Sequence, residues 1–192
     1  MKNLILIGGG GHCKSCIDVI EQTGLFTIDG ILDVKEKVGQ SILGYSVIGT
    51  DDEIEKYAAQ GNSFLITVGH MRSPDLRIRI YDRLQNAGAD IPVIVSPKAH
   101  VSQHAFVGAG TIVLNGAIVN ADAKVGVNCI INSRALVEHD AKVGDHCHIS
   151  TGAILNGGAV VGERSFVGSG TVTRELALIP AGSFIKAQSL IK

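Results

Sequence analysis

The chain of 192 residues has no tryptophan, only four prolines and two methionines, and aromatic residues make up just 4% of it. A core built on large rings is excluded, and the apolar 45% of the composition must come from small and branched side chains. Net charge is −1, with 17 basic and 18 acidic residues, so no excess of positive charge exists to hold a nucleic-acid backbone. No apolar run approaches the roughly 20 residues that span a bilayer. The apolar stretch at residues 4–7 is far too short for a secretory leader. The four cysteines do not form a secreted disulfide framework, and a reduced, cytoplasmic protein without membrane insertion is expected.

What is abundant is glycine, with 24 residues, and an unbroken period of six over residues 101–172. The first place of each six is aliphatic: Val101, Val107, Val113, Val119, Val125, Ile131, Val137, Val143, Ile149, Leu155, Val161 and Val167. The fifth is small: Ala105, Thr111, Ala117, Ala123, Cys129, Ala135, Ala141, Cys147, Ala153, Ala159, Ser165 and Thr171. A helix face recurs every three to four residues, so this pattern excludes a helix. It is the signature of a parallel β-helix of short stacked strands, with both places pointing inward. Residues 95–100 already read as one such six, and residues 179–184 restore the pattern after TRELAL at 173–178 loses its aliphatic first place. Residues 186–192 are expected to cap the open end.

Before about residue 93 the grammar is different. Strands are expected at residues 4–7, 28–32 and 63–68, and helices at 12–22 and 75–87. Residues 34–46 read as a loop with a short extended piece. Thr50 and Glu53 have capping-box spacing ahead of a helix through residue 60. Strands alternating with helices imply a parallel sheet. The fold expected is therefore an α/β, Rossmann-like domain over residues 1–93 and an all-β parallel β-helix over 94–192.

Three groups of residues carry chemistry. Gly8-Gly9-Gly10-Gly11-His12 follows a strand and opens a helix, the context in which backbone N–H groups bind phosphate. The dinucleotide fingerprint is incomplete, since Cys13 stands at its third glycine, which argues for another phosphorylated ligand; the plain alternative is a tight turn. Asp33, ending the second strand, is placed to meet a ribose or sugar hydroxyl. Cys13-Lys14-Ser15-Cys16 has redox spacing, but nothing else supports a redox site, and small helix residues explain it. His139 lies between Glu138 and Asp140, where a carboxylate can orient an imidazole, with Asn132 and His148 within one coil length. Three histidines close in sequence also leave open a zinc site shared between subunits, as in β-helical carbonic anhydrases.

The layout, together with GGGGHCK, GILD, VGH, LRIRIY and INSRALVEHDAKVGDHCHIS, resembles the NeuD/PglD family of bacterial sugar acetyltransferases over essentially the whole chain. GGxGHxK followed by N-x5-EH[DE] is specific to that family. The resemblance implies a left-handed β-helix, a homotrimer, and acetyl-CoA as co-substrate. It implies acetylation of the amino group of a UDP-linked 4-amino sugar, or alternatively of a hydroxyl on a sialic acid. It also implies His139 as the catalytic histidine, Asp140 as the acid orienting it, Asn132 and His148 near the transfer site, and Gly157 as the backbone N–H at the thioester. In the first domain it assigns Gly10, Gly11 and His12 to the nucleotide loop, Asp33 to the uracil or ribose, Gly69 to a loop by the uridine, and Arg77 to a helix position near the nucleotide. No metal is implied. Two positions depart from the pattern: Val34 replaces a second acid after Asp33, and AGSFIKAQ replaces G-x-P-A-K near the C-terminus, which leaves open how the adenine end of CoA is held. A sugar-nucleotide-binding or scaffold subunit without transfer activity is the reading from another class.

Overall fold

The apolar run at the start of the chain becomes β1 (Lys2–Ile7), in which Leu4, Ile5 and Leu6 are fully buried. A strand covered on both faces needs no polar alternation, which is why this run is continuous. The computed structural model describes residues 1–70 and 72–192. They divide into two units, Met1–Gly69 with Asp75–Pro92, and His70–Pro74 with Val93–Lys192.

In the first unit β1 pairs in parallel with β2 (Phe26–Leu32) on one side. On the other it pairs with a later strand, Ser63–Ile66. Helices α1 (Gly11–Thr23), α2 (Ile54–Ala59) and α3 (Asp75–Asn86) alternate with the strands. Gly24 closes α1 in the left-handed region at φ 63°. Residues 34–46 are more ordered than a loop. They form a 3-10 turn and a hairpin of β3 (Ser41–Ile42) and β4 (Tyr45–Gly49), and β4 extends the sheet beside β2 through Ile31 and Val47. This strand is short and bounded by Gly44 and Gly49, so its pattern is too brief to separate from a loop. With Ser63–Ile66 as β5, the sheet order is β3-β4-β2-β1-β5. The capping box is replaced by a 3-10 turn in which Thr50 accepts the Asp52 N–H at 3.4 Å.

The second unit is a parallel β-helix. Its first face stacks Ile94–Val95, Ile112–Val113, Ile130–Ile131, His148–Ile149, Phe166–Val167 and Phe184–Ile185. The second stacks His100–Val101, Ile118–Val119, Leu136–Val137, Ile154–Leu155, Val172–Thr173 and Leu190–Ile191. The third stacks Phe106–Val107, Lys124–Val125, Lys142–Val143, Val160–Val161 and Leu178–Ile179. Register is constant, Ile118 on Leu136 and Leu136 on Ile154, so three sixes make one coil. Inward first-place residues such as Val119, Val125, Ile131 and Val137 are fully buried, as are the small fifth-place residues Ala117, Ala123 and Ala141. Residues 186–192, expected as a cap, instead continue the repeat, since Ile185 and Ser189 keep its first and fifth places and Leu190–Ile191 pairs with Val172–Thr173.

Two regularities underlie the corners. The fourth place of successive sixes carries a positive φ, at Gly116, Asp122, Asn128, Arg134, Asp140, His146 and Gly152 among others. This recurring left-handed corner is consistent with the left-handed coil. One of the three inner columns is polar: Thr111, Cys129, Cys147, Ser165 and Ser183 stack above one another. Thr111 Oγ1 donates to the Gly126 carbonyl at 2.8 Å and accepts the Cys129 N–H at 2.9 Å. Cys129 and Cys147 thiols donate to the Gly144 and Gly162 carbonyls, both at 3.2 Å. The cysteines of the repeat thus serve as small hydrogen-bonding fillers. Because Ala141 is fully buried among the inward residues of neighbouring coils, Ala141→Leu should destabilise the protein by about 1–3 kcal/mol. A thermal melt without a lowered midpoint would contradict that packing.

Candidate active site

The glycine loop sits where β1 ends between β2 and β5, the point at which the strand order reverses and ligands bind in open α/β sheets. Its glycines do different work. A Cβ on Gly8, at φ 103°, would lie 2.5 Å from Val68 Cγ2 and 2.9 Å from the Val68 nitrogen, so close packing demands glycine. A Cβ on Gly10 or Gly11 would meet nothing within 4 Å, so there the bare backbone faces open space at the start of α1. Gly10 is the N-cap, with no side-chain cap and no acid in the first turn. The first N–H groups of a 13-residue helix therefore point outward with their partial positive charge. His12 lies beside the strip, and a Cβ on Gly69 would be 3.8 Å from the His12 Cβ.

Asp33 stabilises this loop. Its Oδ2 accepts the Gly9 N–H at 2.6 Å and Lys37 Nζ at 2.9 Å, and its Oδ1 accepts the Val34 N–H at 2.7 Å. Burial works against the charged form, yet Lys37 and the two N–H groups prevail and hold its pKa below the usual carboxylate value. Arg77, expected near the nucleotide, is 2% exposed. Its guanidinium donates to the Ile66 and Val68 carbonyls at 2.8 and 2.6 Å, so it braces the end of β5 behind Gly69 from inside the unit. Cys13 and Cys16 are both fully buried, and burial raises both thiol pKa values. Neither has the character of a reactive thiolate.

In the second unit His139 and Asp140 occupy the corner that follows the second face. His139 Nδ1 lies 2.8 Å from Asp140 Oδ2, so Nδ1 carries the proton and Nε2 keeps its lone pair. The hydrogen bond that His139 donates to Asp140 raises the imidazole pKa above its ordinary value, with Glu138 and Glu175 adding to the effect. Glu138 also accepts the His139 N–H at 3.1 Å and Asn120 Nδ2 at 2.8 Å. One coil above stands Gly157, where a Cβ would be 2.8 Å from His139 Cε1 and 3.0 Å from Nε2. Only glycine leaves that imidazole face clear. Beyond Gly157, Asn156, Arg174, Glu175 and Leu176 line a cavity of about 640 Å³.

Asn132 and His148 form a separate network. His148, 8% exposed, has Nδ1 2.6 Å from the His70 carbonyl oxygen, so that nitrogen donates. Its Nε2 accepts from Asn132 Nδ2 at 3.0 Å, while Asn132 Oδ1 accepts the Ser133 N–H at 2.8 Å. Phe166 packs edge-on to the ring at 5.1 Å. Residues close in sequence are thus split within one chain, because each six turns onto the next face. Asn132 follows the first face and His139 the second. Among the described residues no cluster of three or more His, Cys, Asp or Glu could hold a metal ion.

Residues 3–84 match the family described as the PglD N-terminal domain. The chain is similar to a histidine-to-asparagine variant of perosamine N-acetyltransferase from Caulobacter crescentus, solved with CoA and GDP-perosamine. Identity is 30%, covering 100% of this chain and 89% of that one, at a TM-score of 0.92. The chain belongs to the NeuD/PglD family of sugar acetyltransferases. A second family member, the acetyltransferase domain of PglB from Neisseria gonorrhoeae FA1090, is 29% identical, with 100% of this chain and 92% of that one covered, at a TM-score of 0.91. The same domain has been solved with acetyl coenzyme A, and is there 28% identical, with 99% and 92% covered, at a TM-score of 0.89. No curated protein sequence matches significantly.

Sequence reasoning did not single out Asn120, Asn156, Thr173 or Glu175. The one available signal was the loss of the aliphatic first place at Thr173 in this family member. Its buried thiols predict that Cys13 and Cys16 resist alkylation by iodoacetamide at neutral pH in the folded protein and react after denaturation. Rapid labelling of the native protein would contradict the assignment.

Proposed function

We propose that the protein transfers an acetyl group from acetyl-CoA to the amino group of a nucleotide-linked 4-amino sugar, UDP-linked in the first instance, without an acyl-enzyme. The observation that carries this reading is the pairing of a carboxylate-held imidazole with Gly157, where any Cβ would lie 2.8 Å from the ring and only bare backbone fits. The amine nitrogen attacks the thioester carbonyl. His139 Nε2 takes the amine proton, the C–S bond breaks, and the proton passes to the departing CoA sulfur. Asp140 fixes the tautomer and stabilises the imidazolium. The Gly157 N–H receives the charge developing on the carbonyl oxygen. The relatives solved with acetyl coenzyme A or with CoA and GDP-perosamine support acetyl-CoA as co-substrate and a nucleotide amino sugar as acceptor. In the first unit Gly10, Gly11 and the start of α1 take the diphosphate, with His12 and Gly69 beside it. Asp33 holds the loop and offers Oδ1 to a ribose hydroxyl, and Arg77 fixes the Gly69 loop from behind.

The working unit in this reading is a homotrimer. The second face presents an aliphatic ladder outward, Ile118, Leu136, Ile154, Val172 and Leu190, and Leu190 is 65% exposed. Packed around a threefold axis, that face brings the His139 corner of one copy to the Asn132 corner of the next, reuniting the two networks that one chain separates. Among the described residues no helix is long and apolar enough to cross a membrane. The cytoplasm is the proposed location.

Thiol release from acetyl-CoA against UDP- and GDP-linked amino sugars and free sialic acids tests the reaction class. Release with sialic acids alone would overturn the N-acetyl reading. His139→Ala should cost roughly 10²–10⁴ in kcat, the usual worth of a general base, and unchanged turnover would remove the base assignment. Because the base must be neutral, kcat/KM should rise with pH through a pKa above 6.5, the ordinary value for histidine. Asp140→Asn should move that limb to lower pH, and a limb that stays put would deny the Asp140 hydrogen bond its role. Leu136→Asp should convert a trimer into monomers in sedimentation; a wild-type monomer would overturn the assembly.

A further inference from the structure

Thr173 is the one break in the aliphatic first places between Val101 and Ile191, and it lies directly above the proposed transfer site. It is fully buried. Elsewhere around this corner the second-place N–H donates to the first-place carbonyl of the coil above, as Asn120 does to Val137 and Glu138 to Leu155, both at 2.9 Å. Asn156 departs from the rule. Its N–H goes to the Thr173 hydroxyl at 2.9 Å, and its side-chain Nδ2 donates to the Thr173 carbonyl at 2.6 Å. Strand pairing breaks at the same point, since Ile154 pairs with Val172 but Leu155 has no partner in that strand.

The diversion matters because of what a second-place asparagine otherwise does. Asn120 Oδ1 accepts the N–H of Ala121 at 2.9 Å, and Asn132 Oδ1 accepts that of Ser133 at 2.8 Å. Glu138 likewise caps the His139 N–H. The third asparagine in this place, Asn156, turns its amide to Thr173 instead, and among the described residues the Gly157 N–H has no acceptor. The carbonyl fixes the orientation of the amide, because only the NH2 end can donate to it.

We propose that Thr173 is a positioning residue for acetyl transfer: by engaging both the backbone and the side chain of Asn156, it keeps the Gly157 N–H uncapped and available to the thioester oxygen. The proposal rests on the reading of Gly157 as oxyanion donor. With an aliphatic residue at 173, the regular ladder bond re-forms, the Asn156 amide is released, and its oxygen caps Gly157 as Asn120 and Asn132 cap their neighbours. The fold gains a regular rung and the reaction loses a donor.

The test is Thr173→Val, measured beside His139→Ala. For Thr173→Val we expect a thermal midpoint no lower than wild type, an unchanged KM for acetyl-CoA, and a kcat reduced by roughly 10²–10³, the worth of one oxyanion donor. Hydrogen exchange at the Gly157 amide should slow. Adding Asn156→Ala to Thr173→Val removes the capping oxygen and should restore most of the lost turnover, a coupling that a merely structural defect would not produce. Thr173→Ser keeps the hydroxyl and should retain turnover. Thr173→Ala carries the expectation of the valine variant if the latter does not fold. Wild-type kcat in Thr173→Val with His139→Ala inactive overturns the role of Thr173 and leaves the base standing. Full activity in His139→Ala overturns the site and this proposal together.

Discussion

The parallel hydrogen bonding of coil upon coil is the constraint on which everything else in the second unit depends. Along the coils, sixth- and second-place N–H groups reach the fifth- and first-place carbonyls of the coil above, as Leu136 does to Ala153 and Glu138 to Leu155, with Asn156 diverted to the Thr173 hydroxyl. This ladder, indifferent to side chains, decides which residues stand in one column. It places His139 under Gly157 and Gly157 under Glu175, with Gly158 donating to the His139 carbonyl and Leu176 to that of Gly157. First and fifth places are consumed by the buried interior. Chemistry is confined to the corners and to the outward sixth place.

Two histidines nine residues apart show how far place alone sets behaviour. His148, in a sixth place on a buried face, is held between a carbonyl and an amide. His139, in a third place on an open corner, is solvated and held by a carboxylate that favours its protonated form. The first is a structural clamp on His70. The second has a lone pair free for a proton.

The six-residue period made the faces, the buried columns and the corner position of His139 legible in the sequence, because each follows from one repeated local geometry. The alternation of strands and helices did the same for the first unit. What the pattern could not convey was anything set by pairing at a distance. The strand Tyr45–Gly49 is too short to show a period. Arg77, expected at a helix position near the nucleotide, is drawn inside by the Ile66 and Val68 carbonyls, which lie far from it in the pattern. Asn132 and His139 look like neighbours along the chain, yet a third of a coil turns them onto different corners. Thr173 was visible only as a gap in the pattern, and its meaning emerged from the asparagine it occupies one coil below.

Asp140 holds the imidazole from a corner where its own backbone sits at φ 62°. Side chains other than glycine resist that conformation, though aspartate tolerates it better than most. The position is therefore contested. Glycine would relax the main chain, while at this corner the Asp140 carboxylate is what holds the proton on Nδ1 and favours the imidazolium. Mutational drift toward a more robust fold and selection for turnover pull this single residue in opposite directions.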